Sequence, residues 1–359
     1  MAKRTIIPFG PQHPVLPEPI HLDLVCEDEK VVEAIPSIGF IHRGLEKLVE
    51  KKDYQEFVFV AERICGICSF IHGQTYCQGI EELMQIPVPP RAHYLRTIWG
   101  ELSRIHSHLL WLGLMADGFG FESLFMHAWR IRERVLDIIE ATTGGRVIFG
   151  SCKVGGVRRD IDAATLKELL VKLADIERDT REIVQVFLND STVKHRLCGV
   201  GTLGRDEAYV LGCVGPTLRA SGWKSDTRKL GYAAFKDLSF EPITRTDGDS
   251  YARTAVRCDE IFQSADLIRQ AVAKIPEGEI AVKVSGNPTG EFFARTEQPR
   301  GEVIYYLKGN GTKNLLRFRV RTPTFANIPG LVKTLQGCDL ADVPVLVLTI
   351  DPCVSCTER

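Results

Sequence analysis

Two cysteine pairs of the form Cys-x-x-Cys stand near opposite ends of the sequence and limit its possible folds more than any other feature. Cys65 and Cys68 form the first pair, and Cys353 and Cys356 form the second, 288 positions further on. Two intervening residues let the chain turn tightly enough for both thiolates of a pair to face one metal ion. Two such pairs make a four-thiolate cage, and a fold that uses it must bring the two chain ends together.

A four-thiolate cage narrows the choice of metal without settling it. Sulfur ligands favour zinc, iron in clusters or nickel, and disfavour magnesium and calcium. A structural zinc site normally closes within a few tens of residues because it stabilises a small local fold, so the wide separation disfavours one without excluding it. A thioredoxin-like redox pair needs a βαβ unit, and the sequence lacks that alternation. Spacing alone leaves the metal open.

The other cysteines are predicted to be small buried apolar side chains. The total of 11 is odd, and in a reducing compartment cysteines are thiols or metal ligands more often than disulfides. Seven of them have no cysteine within five positions, and free cysteine is usually buried. These seven are Cys26, Cys77, Cys152, Cys198, Cys213, Cys258 and Cys338.

Charge argues against nucleic acid as a partner, and hydropathy argues against a membrane-spanning segment in this chain. Its formal net charge is -1, with basic residues scattered among acidic ones, so it lacks the basic surface that nucleic acids select. Its longest strongly apolar stretches, Leu109–Met115 and Val343–Ile350, are well short of the roughly 20 residues that span a bilayer. No apolar signal segment follows Met1. We therefore expect a cytoplasmic protein that binds no nucleic acid.

The first 40 residues predict a β-hairpin. Apolar and polar residues alternate in His21–Val25, a polar turn follows at Glu27–Lys30, and Val31–Ile35 continues the apolar pattern up to Pro36.

The middle of the chain predicts long helices. Apolar residues recur at three- and four-residue intervals over Arg91–Met115 and again over Leu166–Phe187. Between them, Glu122–Thr143 contains no glycine or proline and is followed by Gly144, a residue typical of a helix end. Three such helices suggest a bundle.

The C-terminal third predicts a small sheet. Ala281–Ser285, Glu302–Lys308 and Leu315–Arg321 are rich in β-branched and aromatic residues, and Val343–Ile350 is predicted to be a strand leading into Asp351. The fold class is therefore α+β, with a central bundle of long helices, a small N-terminal β-hairpin, a small C-terminal β-sheet, and the metal site buried between the chain ends. We expect one domain over residues 1–359, comprising a hairpin region (1–40), a helical core (41–280) and a β-rich region with the C-terminal metal-binding segment (281–359).

The residues around the cysteine pairs resemble the paired signatures of nickel-iron hydrogenase large subunits. The first pair stands in Arg63-x-Cys65-x-x-Cys68-x-x-x-His72, and the second in Asp351-Pro352-Cys353-x-x-Cys356-x-x-Arg359. Further segments resemble the branch shared with the quinone-site subunit of respiratory complex I. They are residues 10–14, 42–47 and 107–113, so the likeness spans nearly the whole chain.

This resemblance implies the large, catalytic subunit of an energy-converting (Ech-type), membrane-associated hydrogenase. The family cleaves and forms dihydrogen reversibly at a nickel-iron centre whose iron carries cyanide and carbon monoxide. Its implied partners are a small subunit with a [4Fe-4S] cluster, ferredoxin-like subunits, integral membrane ion-translocating subunits, and ferredoxin as the electron carrier. The complex would lie on the cytoplasmic face of the cell membrane. The quinone-site subunits of complex I lack the cysteine pairs, which favours a hydrogenase. A quinone-reducing subunit without nickel and a zinc-stabilised structural subunit remain alternatives.

The resemblance also assigns roles to the four cysteines. All four would bind nickel, and Cys68 and Cys356 would also bridge to the iron. Cys65 and Cys353 would be terminal, and the Cys353 sulfur would accept the proton released when dihydrogen splits. In the family the chain is cut after the histidine or arginine that follows the second pair, so Arg359 is expected to be a processed end.

Two glutamates match family positions with different roles. Glu18 would take the proton from the metal site. Glu46 competes for that role and is more similar to a ligand of a secondary magnesium or iron site. Arg359 stands where a histidine metal ligand is commoner, and this departure weakens the case for that secondary site.

Four further residues match positions around the open face of the metal centre. His72 would donate a hydrogen bond to a bridging sulfur. Pro299 and Arg300 would pack against the iron's diatomic ligands, with the guanidinium acting electrostatically on dihydrogen. Asp351 would anchor Arg300. Many hydrogenases carry a carboxylate where this chain has Ser107, so one support for the arginine is expected to be missing.

Overall fold

The computed structural model describes residues 4–14 and 16–359, and it has the predicted α+β architecture. The strands are β1 (Arg4–Phe9), β2 (His21–Glu27), β3 (Lys30–Ser37), β4 (Cys152–Lys153), β5 (Gly156–Val157), β6 (Thr289–Gln298), β7 (Gly301–Asn310) and β8 (Arg317–Arg321). The longer helices are α3 (Ser69–Met84), α4 (Pro90–Gly118), α5 (Glu122–Thr143), α6 (Ala163–Asn189), α10 (Ser250–Lys274) and α11 (Pro323–Leu335). The shorter ones are α1 (Leu45–Leu48), α2 (Phe57–Glu62), α7 (Ser191–Leu197), α8 (Arg205–Val210), α9 (Gly215–Arg219), α12 (Val343–Thr349) and α13 (Val354–Thr357). In the described part of the chain, no helix is both long and apolar enough to cross a membrane.

The predicted N-terminal hairpin is confirmed, and the structure adds a third strand to it. Strands β2 and β3 pair antiparallel from His21 opposite Ser37, and β1 extends the sheet along β2. Leu22, Leu24 and Cys26 alternate on the buried face of β2 and pack in one apolar cluster with residues of α11 and α12. This packing brings the N-terminal sheet against the C-terminal segment.

The three predicted long helices are confirmed as α4, α5 and α6, and α5 ends at Gly144 with a φ of 83°. Helices α3 and α10 were missed. Helix α3 is buried on nearly every side and includes Gly73, Gly79 and His72, so it shows no apolar stripe. Helix α10 buries Arg253, Arg257 and Glu260, which interrupt the apolar period that sequence patterns detect.

Two strand predictions in the C-terminal third are wrong. The 281–285 segment contributes only an isolated bridge from Ala281 to Gly156, and the first strand of the sheet is β6. The apolar run at 343–350 forms helix α12, with Pro344 in its first turn. Its β-branched residues favour a strand locally, but burial inside the protein outweighs that weak preference. Strands β7 and β8 are confirmed, and β6, β7 and β8 form an antiparallel sheet in that order.

Helix α3 crosses this C-terminal sheet at close range through Gly79. A Cβ at Gly79 would lie 2.1 Å from Leu307 Cδ1 and 3.1 Å from Ala294 Cβ. We expect Gly79→Ala to lower the free energy of unfolding by about 1–3 kcal/mol, because the packed core cannot absorb another methyl group there. The change in denaturant midpoint measures this effect.

Gly100→Ala in α4 is the matched control, since a Cβ there would meet nothing closer than Ile71 Cδ1 at 3.4 Å. We expect its stability to stay within about 1 kcal/mol of the unmodified chain. Equal stability of the two variants would show that α3 does not need this close approach.

Candidate metal centre

The two cysteine pairs meet in one buried group. The Sγ atoms of Cys65 and Cys353 are 3.3 Å apart, those of Cys68 and Cys356 are 3.5 Å apart, and all four lie within 4.8 Å of one another. Each side chain is at most 1% exposed. Within residues 4–14 and 16–359, this is the one group of three or more potential metal-ligating side chains that could share an ion. The predicted convergence of the two cysteine pairs between the chain ends is confirmed, and their role as metal ligands stays a prediction.

Local backbone structure aims the sulfurs inward. After α2 the chain turns so that the amides of Ile67 and Cys68 point at Cys65 Sγ, 3.2 and 3.3 Å away. Cys68 then precedes the first turn of α3. In the second pair, Asp351 adopts a left-handed φ of 55°, and the Cys353 amide donates to Thr324 Oγ1 at 3.1 Å. In the first pair, the two amides directed at Cys65 Sγ are positioned to stabilise that sulfur as a thiolate.

The donor set fits a soft cation. Burial raises the pKa of the Cys68 and Cys356 thiols well above their ordinary values, because several thiolates cannot be charged side by side away from water. A bound divalent ion removes that penalty and holds all four sulfurs as thiolates. Nickel, iron and zinc all suit such a site, so the geometry is consistent with a nickel-iron centre without choosing it.

Arg300 is fixed beside the cysteines by two elements. Its Nη2 donates to Asp351 Oδ1 at 2.7 Å and its Nε to the Asp351 carbonyl at 2.8 Å, while Nη1 donates to Ser107 Oγ at 3.3 Å. Burial acts to lower the pKa of Arg300, but Asp351 and the cysteine sulfurs outweigh it and raise the pKa well above its ordinary value. The position expected to lack a carboxylate therefore still contributes a hydroxyl contact. Pro299, in the same β6–β7 turn, is buried beside it.

His72 lies against a sulfur of the second pair. Its Nε2 is 3.3 Å from Cys356 Sγ, and its Nδ1 is 2.5 Å from the hydroxyl oxygen of Tyr305. Burial lowers the pKa of His72 to about 3, so the ring is neutral. Tyr305 was missed by the sequence analysis, because nothing marks a tyrosine in a predicted strand as a partner of a distant histidine.

The Glu18 carboxylate contacts the second cysteine pair through two backbone amides of that segment and through the hydroxyl of Ser355. One carboxylate oxygen accepts from the Val354 and Ser355 amides, the latter at 3.1 Å, and the other accepts from the Ser355 hydroxyl. That hydroxyl oxygen is itself 3.4 Å from Cys353 Sγ. Burial, aided by the nearby Cys353 sulfur, raises the pKa of Glu18 to about 7. Ser355 was also missed, although a hydroxyl between two metal-ligating cysteines is a visible signal.

Glu46 is not brought together with the four cysteines. Its oxygens accept from the Val320 amide at 2.9 Å, from Arg319 at 2.7 Å and from Arg359 at 3.0 Å. Burial opposes ionisation, but these donors together hold the pKa of Glu46 below its ordinary value. The carboxylate is thus an ion-pair partner of the C-terminal residue, and a secondary metal there stays a prediction.

One arginine joins the two metal-binding segments directly. Arg43 donates to the carbonyls of Arg63 at 3.0 Å, Ile64 at 2.9 Å and Ser355 at 2.9 Å. It therefore links the backbone preceding Cys65 to the backbone between Cys353 and Cys356. Arg43 lies in the 42–47 segment, and the sequence did not predict this link.

The remaining cysteines follow the burial prediction with two exceptions. Five are buried, namely Cys26, Cys77, Cys152, Cys213 and Cys258. Cys338 is half-buried, and Cys198, directly after α7, is exposed. The prediction was wrong for Cys198 because the turn after a short surface helix faces solvent.

Models of two protein families match the chain. The model for the 49 kDa subunit of respiratory-chain NADH dehydrogenase matches residues 118–285 and 283–359. The model for nickel-dependent hydrogenase matches residues 43–115, which include the first cysteine pair.

Two full-length relatives are hydrogenase proteins, and one chain of a solved structure matches nearly the whole chain. The chain is 40% identical to the membrane-bound hydrogenase subunit alpha of Pyrococcus furiosus, covering 98% of this chain and 87% of that protein. It is 39% identical to the carbon monoxide-induced hydrogenase of Rhodospirillum rubrum, covering 98% and 99%. A chain in the solved structure of the membrane-bound sulfane sulfur reductase, an archaeal respiratory membrane complex, superposes with a TM-score of 0.94 at 29% identity, covering 99% of this chain and 98% of that one.

Proposed function

Since this chain belongs to the family of energy-converting nickel-iron hydrogenase large subunits, which is related to the 49 kDa subunit of complex I, we propose that it catalyses reversible cleavage and formation of dihydrogen. The observation that carries this proposal is the group of four buried sulfurs within 4.8 Å of one another. A quinone-reducing relative has no need of four converging thiols at this place. A zinc-stabilised structural site is the competing explanation of the same sulfurs.

The nickel-iron centre would be held by Cys65, Cys68, Cys353 and Cys356. A nickel-iron pair with cyanide and carbon monoxide, bound there, would supply the heterolytic cleavage of dihydrogen, since soft thiolates stabilise the accessible states of nickel. The protein's contribution is to hold the four sulfurs together in a buried site. Arg43 supports this by tying the two sulfur-bearing segments to each other.

Arg300 provides a fixed positive charge at the centre. The guanidinium keeps its proton at every ordinary pH, and its contacts with Asp351 and Ser107 prevent it from turning away. A preorganised charge in a buried site interacts strongly with nearby polarised groups, because no water has to reorganise. We assign Arg300 this electrostatic role.

The proton would leave from Cys353 Sγ to Glu18. The Ser355 hydroxyl contacts both groups, so it can accept a proton from the sulfur side while it donates its own to the carboxylate. Glu18 lies with Gln12, His13, Leu16 and neighbouring prolines around an open cavity of about 530 Å³. The proton would pass from Glu18 to solvent through this cavity.

Electrons must pass to a partner, because no second cysteine group suited to a cluster exists among the described residues. Gly66, beside the buried Cys65, is exposed and lies against Val147, which is 42% exposed. We propose that a small subunit carrying a [4Fe-4S] cluster docks here. Ferredoxin-like subunits, integral membrane ion-translocating subunits and ferredoxin complete the proposed assembly on the cytoplasmic face of the membrane.

A tagged form of this chain, expressed in its own host, should therefore co-purify with a smaller iron–sulfur protein. The exposed Val147 beside Gly66 is apolar surface that such a partner would cover. Mass spectrometry of the purified material identifies the partner. A monodisperse single chain that carries nickel and oxidises dihydrogen alone would contradict this arrangement.

The proposed function is tested by isotope exchange in the purified complex. Under deuterium-labelled water, the complex should convert dihydrogen to HD and D2 without any added electron acceptor, because heterolytic cleavage releases a proton that exchanges with solvent. Absence of exchange from a complex that reduces a quinone would support the quinone-reducing alternative. Absence of both activities from a zinc-containing complex would support a structural role.

A further inference from the structure

Tyr305 lies directly behind the histidine that contacts the metal-binding group. Its hydroxyl oxygen is 2.5 Å from His72 Nδ1, and the opposite ring nitrogen of His72 is 3.3 Å from Cys356 Sγ. Both side chains are 0% exposed. The phenol, the imidazole and the cysteine therefore form a continuous hydrogen-bonded chain that starts on β7 and ends at a sulfur of the metal centre.

The position of the phenol is fixed independently of that chain. The Tyr305 ring packs edge-on against Phe318, with ring centroids 5.0 Å apart and an interplanar angle of 83°. Because β7 and β8 are hydrogen-bonded neighbours, this contact is part of the sheet itself. The hydroxyl is thus presented to His72 by a rigid element.

The direction of the hydrogen bonds follows from the chemistry of the two ends. A neutral imidazole has one N–H, and the nitrogen that carries it depends on what the other nitrogen contacts. A metal-ligating thiolate can only accept a hydrogen bond. If Nε2 donates to Cys356, then Nδ1 is an acceptor, and the Tyr305 hydroxyl is the donor that it needs.

We propose that Tyr305 is a positioning residue that holds His72 in the Nε2–H tautomer, so that His72 donates to Cys356 Sγ. This role rests on the proposed function, because it matters only when Cys356 ligates the catalytic metals. A hydrogen bond to a ligating sulfur withdraws electron density from the metals, and hydrogen bonds to sulfur are known to set the potentials of such centres. Without the phenol, Nδ1 would be an unpaired buried acceptor, and the donation to Cys356 would weaken.

The test compares Tyr305→Phe with Tyr76→Phe in the purified complex. Tyr76 is a matched control, since it is also 0% exposed and edge-on to Phe318, but its hydroxyl donates to the Tyr54 carbonyl at 2.8 Å. In Tyr305→Phe, the infrared stretch of the iron-bound carbon monoxide should move to lower wavenumber and the midpoint potential of the centre should fall, with nickel content unchanged. Tyr76→Phe should show neither shift.

Two outcomes would overturn the proposal. One is an unshifted infrared spectrum in a fully metallated Tyr305→Phe complex. The other is loss of nickel from Tyr305→Phe alone, which would make the phenol an assembly element rather than a tuning one. In a His72→Leu background, adding Tyr305→Phe should cause no further shift, because the phenol acts through the histidine.

A second measurement does not depend on the hydrogenase assignment. In zinc-loaded full-length chain with 15N-labelled histidine, the four cysteines are thiolates whatever their natural metal is. NMR should then find His72 protonated at Nε2 in the unmodified chain, with the His72→Leu variant identifying the signal. A proton on Nδ1 would overturn the tautomer assignment, whereas missing infrared bands in the unmodified complex would count against the proposed function instead.

Discussion

Cys65→Ser and Cys356→Ser should each give protein without stably bound nickel and without measurable hydrogen uptake. A serine hydroxyl at neutral pH is a poor ligand for a soft metal, so each variant loses affinity and geometry together. The remaining three buried thiols would also repel one another as thiolates, since only the cation allows them to ionise side by side. Nickel per chain, measured by plasma mass spectrometry, and hydrogen uptake by the complex give the two readouts.

Cys77→Ser is the matched control for this pair of variants. Cys77 is 0% exposed and lies on α3, the same helix that Cys68 precedes, but it is outside the four-sulfur group. We expect it to keep its nickel and most of its uptake, with some loss of stability from a buried hydroxyl. Full nickel occupancy and normal turnover in Cys65→Ser or Cys356→Ser would remove the basis of the site assignment.

Glu18→Gln should slow exchange between dihydrogen and solvent deuterium by about 10²–10⁴-fold. The amide keeps the size of the side chain but cannot take a proton from the Ser355 hydroxyl. Metal content should not change, because Glu18 contacts the second pair only through Val354 and Ser355. Interconversion of ortho and para hydrogen, which needs no proton exit, should be much less affected.

Glu46→Gln is the contrasting variant. Its carboxylate binds Arg319 and Arg359 rather than any residue next to a cysteine. Loss of the carboxylate should therefore weaken the packing of the C-terminal segment against the rest of the protein. We expect less assembled complex, with measurable exchange per nickel in whatever assembles. Normal exchange in Glu18→Gln, together with lost exchange in fully metallated Glu46→Gln, would reverse the two assignments.

Ser355→Ala tests whether the serine hydroxyl is needed for proton transfer from Cys353 to Glu18. If the hydroxyl carries the proton between Cys353 and Glu18, removing it should slow solvent exchange while Glu18 remains in place. A Ser355→Ala complex with unchanged exchange would mean that the sulfur reaches Glu18 without the serine.

The sequence predicted those parts of the protein whose signals are local or repeated. The cysteine pairs and their flanks predicted a shared site, and helices α4, α5 and α6 have regular apolar faces. Helices that are buried on most sides do not show these regular apolar faces in their sequence. Helix α12 has a strand-like composition but lies inside the protein, and helix α10 buries charged residues where apolar ones are expected.

The contacts that complete the metal centre could not be predicted in the same way. Tyr305 meets His72 across 233 positions, and Arg43 meets Ser355 across 312. Such pairs depend on how the sheet, α3 and the C-terminal segment pack, and one sequence contains no signal that links them. Glu18 could be predicted only from family resemblance, since a glutamate between two prolines has no distinctive pattern of its own.

The infrared spectrum of the purified complex, recorded with its nickel and iron content, tests the central claim most directly. Cyanide and carbon monoxide bound to iron absorb where protein does not, so their bands report the metal centre independently of turnover. We predict one nickel per chain, iron in addition to that of any partner's clusters, and bands from both diatomic ligands. Zinc in the four-cysteine site with no such bands would contradict the assignment of this chain as a hydrogenase subunit.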